Sequence, residues 1–421
     1  MSNERSGFSS RLGFVLATAG SAVGLGNIWR FPYLAAKYGG GTFLLTYLIL
    51  TLTFGFSLMI TEVALGRKAG TSAIRAFGHF SKKHTFIGYL TTIIPFIIFP
   101  YYCVIGGWVT KYALISLQGG IHNAASDTFF TGFISKSAEP MICVLVFLIA
   151  TTVVVAGGVK GGVERVSTIM MPVLIVLLIG VSLFCITRPG AMAGVAYYLK
   201  PSLKGFGPTT ILAALGQLFY SMSLAMGIMI TFGSYMPKKA DLEKSVTQVE
   251  IFDTGVAFLA GLMIVPAVFV FSNGDSSMLA KGPSLMFVML PKVFDSMAFS
   301  SVIAAVFFIL VLLAALTSSI SLLETLVAVL MDKFHMKRGT ACITMFIIAL
   351  LLAVPSSLGF GAWSNITILG FDFLDFFDFI SNSVLMPIAA FLTCLFVGYI
   401  IKPKVIVDEV ESSGEFKRKS L

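Results

Sequence analysis

Ten apolar runs of about 20 residues or more divide the chain, and they leave it few folds to adopt. Because about 20 apolar residues cross roughly 30 Å of hydrocarbon, each run can form one membrane-spanning helix. With 57% hydrophobic and 12% charged residues, the 421-residue chain is predicted to be an all-α integral membrane protein with about ten spans. The predicted spans cover residues 11–36, 42–66, 86–117, 138–157, 163–187, 208–235, 243–271, 298–331, 339–356 and 371–401.

The net charge of +9 follows from membrane orientation, and no nucleic-acid partner is predicted. Most Lys and Arg residues flank the spans on the side that also holds the leader 1–10 and the tail 402–421. Because positive loops stay in the cytoplasm, we expect a multi-pass protein of the cell (inner) membrane with both termini cytoplasmic. The leader lacks a small-residue cleavage site, so no removable signal peptide is expected. The sequence leaves the oligomeric state unknown.

The first span is interrupted by Gly20-Ser21-Ala22-Val23-Gly24-Leu25-Gly26-Asn27, followed by Arg30 and Pro32. Each interior Gly costs a helix about 0.8–1 kcal/mol relative to Ala, and Pro supplies no backbone donor. An unwound segment survives in lipid only where its backbone groups find partners. Freed carbonyls suit a hard cation and amides at a helix start suit a carboxylate, although a purely structural kink is the alternative.

The sixth span is interrupted in the same way, with Gln217, Tyr220, Ser221, Ser223 and Gly227 at membrane depth. Paired interruptions in two halves are typical of a transporter whose site lies between the halves. The halves are expected to be 11–187, with spans one to five, and 208–401, with spans six to ten. Residues 188–207 form an external loop between them.

Further polar residues lie inside the apolar runs. Asp253 sits within the seventh span, where a carboxylate is expensive unless a cation or a donor meets it. Thr317 and Ser318 bring hydroxyls to the eighth span, although such side chains often bond only their own helix. Tyr101 and Tyr102 place two phenolic hydroxyls in the third span.

In these motifs the chain resembles the bacterial members of the neurotransmitter:sodium symporter family over nearly its whole length. The resemblance is carried by Arg11-Leu12-Gly13 through Gly26-Asn27, Arg30-Phe31-Pro32, 217–227, 314–319 and the Gly162 to Pro172 spacing. It implies a LeuT-like 5+5 inverted repeat with discontinuous first and sixth helices. It also implies a sodium-coupled symporter that works by alternating access.

The resemblance implies two sodium sites. The first would use the Ala22 carbonyl with the side chains of Asn27, Ser221 and Asp253, together with the substrate carboxylate. The second would use the carbonyls of Gly20, Val23 and Ala314 with the hydroxyls of Thr317 and Ser318.

The resemblance also implies substrate contacts and gates. The outer gate would be Arg30 and Asp378, and the inner gate would be Arg5, Ser234, Tyr235 and Asp332. The substrate contacts, with the pocket residue Ile98 added, would be Ser21, Ala22, Gly24, Gly26, Ile98, Tyr102, Tyr220, Ser221, Ser223, Met226, Ser318 and Leu322.

The chain departs from the family pattern at two positions that affect the site. Ala225 stands where relatives commonly have Gly, and its methyl is expected to narrow the pocket wall. Ala257 stands where chloride-dependent relatives place a hydroxyl one turn beyond Asp253. Because Asp253 already supplies a fixed negative charge, chloride is not expected to be required.

The substrate is expected to be a neutral, hydrophobic L-amino acid. Gly24 carries no acid to pair with an amine, and the pocket offers no charge to meet a charged side chain. An enzyme is not expected, because His79, His84, His122 and His335 are scattered and form no metal pair. The remaining alternative is a substrate-sensing receptor on a transporter scaffold without net transport.

Overall fold

Most of the residues that the structure describes are helical, and a single β-bridge, between Ile368 and Phe371, occurs among them. The computed structural model describes residues 7–202, 206–272 and 284–420. In this part eight continuous helices are long and apolar enough to cross a membrane, and one pair bent by 52° makes a ninth candidate. A second interrupted pair, broken at residues 222–227, occupies the place of the sixth span. The predicted all-α membrane fold with two discontinuous helices is confirmed.

The main helices begin and end close to the predicted limits. They are α1 Arg11–Ala22, α2 Gly26–Lys37, α3 Gly41–Ala69, α4 Ala73–Phe80, α5 Lys82–Leu117, α6 Ala138–Ala156, α7 Val159–Ile186, α8 Ala191–Leu199, α9 Pro208–Ser221, α10 Ile228–Tyr235, α11 Leu242–Phe271, α12 Ser300–Phe334, α13 Arg338–Leu358, α14 Phe373–Ile401 and α15 Lys404–Glu411.

Local chemistry explains several of these ends. The Ser10 side chain caps α1 by accepting the Gly13 N–H at 3.0 Å, and Asp241 caps α11 by accepting the Lys244 N–H at 2.9 Å. Gly70 ends α3 with φ +64°, a left-handed conformation that glycine adopts without strain.

The broken helices lie in the centre of the bundle. Helix α1 packs among α7, α11 and α12, while α10 packs along α3. Small residues make the second contact close: a Cβ on Gly66 would lie 1.8 Å from the Ile230 carbonyl oxygen, and one on Gly233 would lie 2.3 Å from the Val63 carbonyl oxygen. The long helices around this centre expose apolar side chains such as Val153, Val176 and Leu351, as lipid contact requires.

The two ends of the bundle differ in what they carry. We call the end with both described chain termini and the connectors 70–72, 236–241 and 335–337 the terminal face, and the opposite end the distal face. Helix α15 returns to the terminal face, where the buried Arg67 donates to Glu409 Oε1 at 2.8 Å and to the Ala240 carbonyl at 2.9 Å. The segment after the tenth span is therefore bonded to the bundle.

Candidate functional site

The first span breaks after Val23, whose N–H still donates to the Ala19 carbonyl at 2.7 Å, and the next two N–H groups leave the helical pattern. The Gly24 N–H, which a continuous helix would direct to Gly20, donates instead to Asn27 Oδ1 at 3.0 Å. The Leu25 N–H points at the Tyr102 hydroxyl, 3.5 Å away. The carbonyls at the end of α1 are therefore free to face other partners.

Two glycines at this break are required by close contacts. A Cβ on Gly24 would lie 2.4 Å from Ser318 Oγ and 3.1 Å from the Tyr102 hydroxyl. A Cβ on Gly26 would lie 2.7 Å from the Tyr220 ring. Any side chain at either position would displace its neighbours.

The second break, at residues 222–227, contains three residues in left-handed conformations. Ser223, Ala225 and Gly227 have φ of 53°, 61° and 72°, and the first two are strained because they carry a Cβ. The Ala225 N–H donates to Glu62 Oε1 at 2.9 Å, and Ser223 Oγ donates to the Ser21 carbonyl at 3.1 Å. The two breaks thus touch, and a buried carboxylate from α3 supports the second.

The first polar cluster is centred on Asp253, which is fully buried. Asn27 Nδ2 donates to Asp253 Oδ1 at 2.7 Å, Ser221 Oγ donates to the same oxygen at 2.9 Å, and the Tyr47 hydroxyl donates to Oδ2 at 3.1 Å. All three partners are neutral, so no side chain at this cluster neutralises the carboxylate. A buried charge of this kind calls for a counter-ion, and oxygen ligands suit a hard cation.

The second polar cluster lies where α12 meets the end of α1. Ser318 Oγ lies 3.4 Å from the Gly20 carbonyl oxygen, 3.1 Å from that of Ser21 and 3.2 Å from that of Val23. Its single proton can satisfy only one of these acceptors at a time. The Thr317 hydroxyl bonds the Leu313 and Ala314 carbonyls of its own helix at 3.1 Å each. The cluster is therefore rich in oxygen and poor in donors.

A small cavity of about 30 Å³ lies between the two breaks, well below the volumes usual for open ligand pockets. Every predicted substrate contact except Ser221 lines it, and Leu25 and Ile228 are additional wall residues. Ala225 is buried but does not line the cavity, so the predicted narrowing of the wall by its methyl is wrong. The lining residues are Ser21, Ala22, Gly24, Leu25, Gly26, Ile98, Tyr102, Tyr220, Ser223, Met226, Ile228, Ser318 and Leu322.

A wider cavity of about 320 Å³ opens towards the distal face, and Tyr220 lines both cavities. Arg30 and Asp378 line this wider cavity, but no ion pair joins them in the described part of the chain. The Arg30 guanidinium lies 5.1 Å from the centre of the Tyr220 ring instead. The Asp378 carboxylate accepts from Asn382 at 2.5 Å and from Tyr101 at 3.2 Å.

Towards the terminal face, the cavity is closed by packed residues that are held together by hydrogen bonds. The Tyr235 carbonyl accepts the Phe8 N–H at 3.0 Å, and the Tyr235 hydroxyl donates to the buried Glu324 at 2.8 Å. Ser234 donates to the Thr231 carbonyl at 2.6 Å, and Asp332 accepts the Ser72 N–H at 2.7 Å. Arg5, the fourth predicted inner-gate residue, lies outside the described residues.

Three charged residues near the site are absent from the sequence-based prediction. Arg338 bonds both carboxylate oxygens of Glu324, at 2.6 and 2.8 Å, and Glu62 supports the second break. The sequence does carry a signal for Glu62 and Glu324, because an ionisable residue inside a spanning helix marks a functional site by default. Their partners are far away in the chain and are visible only in the fold.

Two interrupted helices that face one another around a buried, oxygen-rich pocket define the class of secondary transporters with discontinuous helices. The comparisons with known proteins agree with this class. A model of the sodium:neurotransmitter symporter family matches residues 5–132 and 130–421, and the chain belongs to that family. The predicted family is thereby confirmed.

Relatives and a solved structure extend the match over almost the whole chain. An uncharacterized sodium-dependent transporter of Bacillus subtilis is 36% identical over 412 residues, covering 97% of this chain and 90% of the relative. One from Haemophilus influenzae is 35% identical over 415 residues, covering 95% and 90%. The crystal structure of MhsT in complex with L-phenylalanine is 38% identical, with a TM-score of 0.90 and coverage of 99% and 95%. The protein is thus a multi-pass, sodium-dependent transporter, in a family of transporters rather than enzymes.

Proposed function

We propose that the protein is a sodium-coupled symporter that takes up a neutral, hydrophobic L-amino acid by alternating access. The observation that carries the proposal is the cavity between the two breaks, whose lining joins freed backbone groups and hydroxyls to apolar side chains. We take the freed backbone groups of residues 22–26, which neighbour Asn27 and Asp253, as its polar end. This end suits a carboxylate held next to a sodium ion.

The apolar end defines the substrate side chain. Ile98, Met226, Ile228 and Leu322 line it, and Tyr102 and Tyr220 add their rings. None of the thirteen lining residues is charged. Since an unpaired charge in such surroundings is heavily penalised, aliphatic and aromatic amino acids are favoured over lysine or glutamate. The structure of MhsT with bound L-phenylalanine supports this inference.

The contacts of Gly24 argue against a monoamine substrate. An amine without a carboxylate would need an acidic side chain near its ammonium group. An added Cβ at Gly24 would lie only 2.4 Å from Ser318 Oγ, so an acidic side chain does not fit at this position. The substrate's own carboxylate is then the acid that completes the first sodium site.

Two sodium ions are proposed for each cycle. The first site would be held by the Ala22 carbonyl, Asn27, Ser221 and Asp253, and the second by the carbonyls of Gly20, Val23 and Ala314 with Thr317 and Ser318. Each elementary charge that crosses 100 mV contributes about 2.3 kcal/mol, so two ions can concentrate a neutral substrate by several orders of magnitude. Chloride is not needed, because Asp253 supplies the negative charge.

The two faces suggest the orientation and the direction of uptake. The terminal face is rich in Lys and Arg, and we infer that it is cytoplasmic, in the cell membrane. The wider cavity with Arg30 and Asp378 would then be the external vestibule. Substrate would enter past Tyr220, and the contacts around Tyr235 would have to separate for its release.

Uptake into proteoliposomes tests the proposal. With an inward sodium gradient, radiolabelled leucine, methionine or phenylalanine should accumulate, and potassium or choline in place of sodium should abolish the accumulation. Asn27→Ala should lose uptake, whereas Asn123→Ala, which changes an exposed amide far from the cavity, should retain it. Equal uptake without sodium would contradict coupling, and sodium-dependent binding without accumulation would favour a receptor.

Competition by all twenty amino acids and several monoamines tests the substrate class. Hydrophobic L-amino acids should displace the label most strongly. Stronger displacement by glutamate, lysine or a decarboxylated amine would contradict the proposed pocket.

A further inference from the structure

A third cavity, of about 540 Å³, opens on the terminal face at the level of the connector after α3. Its walls come from the connector and α4, from the start of α5, and from the end of α12. Each of these elements supplies one permanent cation: Arg75 from α4, Lys82 from α5 and Lys333 from α12.

Among the described residues, no carboxylate forms an ion pair with any of these three cations. Neither Lys82 nor Lys333 has a carboxylate partner in the described part of the chain, and Arg75 donates to the main-chain carbonyl of Asp332 at 3.0 Å. The one acid in the wall, Asp332, accepts the Ser72 N–H at 2.7 Å and keeps its negative charge, so the three cations outnumber the acids of the wall by two. His79, His335, Thr71 and Thr85 complete the polar wall. The cavity therefore offers an excess of positive charge to an anion.

The cavity continues into an apolar stripe on α5. Phe86, Tyr89 and Ile93 follow a helical spacing and are about half exposed, at 52%, 47% and 46%. The Lys333 ammonium lies 5.6 Å from the centre of the Tyr89 ring, which joins the cavity wall to the stripe. A ligand with an anionic head and apolar chains matches both parts.

We propose that this cavity binds the phosphate group of an anionic glycerophospholipid through Arg75, Lys82 and Lys333, with the acyl chains along Phe86, Tyr89 and Ile93. A free phosphate shares the headgroup chemistry but has no use for the apolar stripe. A basic cavity between helices at a membrane surface is a usual place for lipid headgroups.

Native mass spectrometry of the full chain in a neutral detergent tests the proposal. Short-chain phosphatidylglycerol is titrated in parallel with phosphatidylcholine of the same chain length, glycerophosphoglycerol and inorganic phosphate. The test variant is Arg75→Gln/Lys82→Gln/Lys333→Gln. The matched control is Lys160→Gln/Lys239→Gln/Lys404→Gln, which removes three exposed cations of the terminal face that do not line the cavity.

The wild type and the control should prefer phosphatidylglycerol to phosphatidylcholine, and the test variant should bind phosphatidylglycerol about 100-fold more weakly, at about fivefold for each lost cation. Equal affinity of the test and control variants would overturn the proposal. If inorganic phosphate or glycerophosphoglycerol bound as tightly as the lipid, the site would be one for soluble anions and the lipid assignment would fall. A thermal midpoint of the lipid-free test variant close to that of the control shows that the fold is retained.

Discussion

Asp253 Oδ1 accepts a hydrogen bond from the Asn27 side-chain amide at 2.7 Å, which ties the carboxylate of the seventh span to the broken first span. The carboxylate therefore stands beside the broken first span as a fixed negative charge. Its neighbours Tyr47 and Ser221 donate to it, and Ala257, one turn further along α11, is fully buried and offers no donor.

Uptake should accordingly be independent of chloride, and replacing chloride by gluconate should leave it unchanged. The double variant Asp253→Asn/Ala257→Ser removes the charge and adds a hydroxyl, so chloride dependence should appear in it. Uptake in the two salts, with Ala257→Ser as the control that keeps the carboxylate, measures this. A wild type that lost most of its uptake in gluconate would contradict the role of Asp253.

Gly24→Ala should weaken substrate binding, because its Cβ would lie 2.4 Å from Ser318 Oγ. Forcing a methyl into such a contact costs the folded protein about 1–3 kcal/mol, and the part of this cost that falls on the bound state should raise the dissociation constant, by up to roughly 150-fold. Binding of labelled leucine measures the effect. Gly216→Ala is the matched control in the sixth span, since a Cβ there has no neighbour within 4 Å. Equal losses in the two variants would show that the contact with Ser318 is not decisive.

Removal of the second oxygen cluster should change the sodium dependence of uptake. In Thr317→Val/Ser318→Ala, the Hill coefficient for sodium should fall from about two to about one, because this coefficient cannot exceed the number of coupled sites. Ser321→Ala is the control, since its buried hydroxyl bonds only the Thr317 carbonyl of its own helix at 3.1 Å. An unchanged sodium curve in the double variant would argue for a single sodium site.

Ala225→Gly should stabilise the protein without changing its preference for substrate size. The substitution removes the Cβ that strains this left-handed backbone conformation, a strain of about 1–2 kcal/mol. Part of the gain is offset by the greater conformational freedom of glycine in the unfolded chain. The thermal midpoint in detergent should therefore rise, whereas Ala214→Gly, within helix α9, should lower it. A changed ratio of tryptophan to leucine affinity would mean that the Ala225 methyl does reach the substrate.

The spans were predictable because their signal is local. Residues 208–235 and 138–157 are read from runs of apolar residues alone, and the structure has helices Pro208–Ser221, Ile228–Tyr235 and Ala138–Ala156 there. The breaks were predictable as regions, since glycines and polar residues weaken a helix in lipid. Their exact extent was not, because Gly26 to Arg30 rewinds immediately into a wider π-helical turn.

The partners across the bundle could not be read from the chain. The bond between Ala225 and Glu62 joins residues 163 positions apart, and the ion pair of Glu324 with Arg338 depends on how α12 and α13 pack. Arg30 offers a further example: the sequence suggests a carboxylate partner in the tenth span, whereas the guanidinium lies over the ring of Tyr220. Several acceptors and rings compete for such a side chain, and only the fold decides among them.

The Ser318 hydroxyl faces the Val23 carbonyl at 3.2 Å and also lines the cavity. In the proposed function an ion lies on one side of this oxygen and an amino acid on the other, so the occupancy of each site would alter the free energy of binding at the other. Such coupling is reciprocal: the factor by which sodium lowers the dissociation constant of the amino acid must equal the factor by which the amino acid lowers that of sodium. An amino acid that fits the pocket well should therefore also strengthen sodium binding, and one that fits poorly should leave sodium weakly bound.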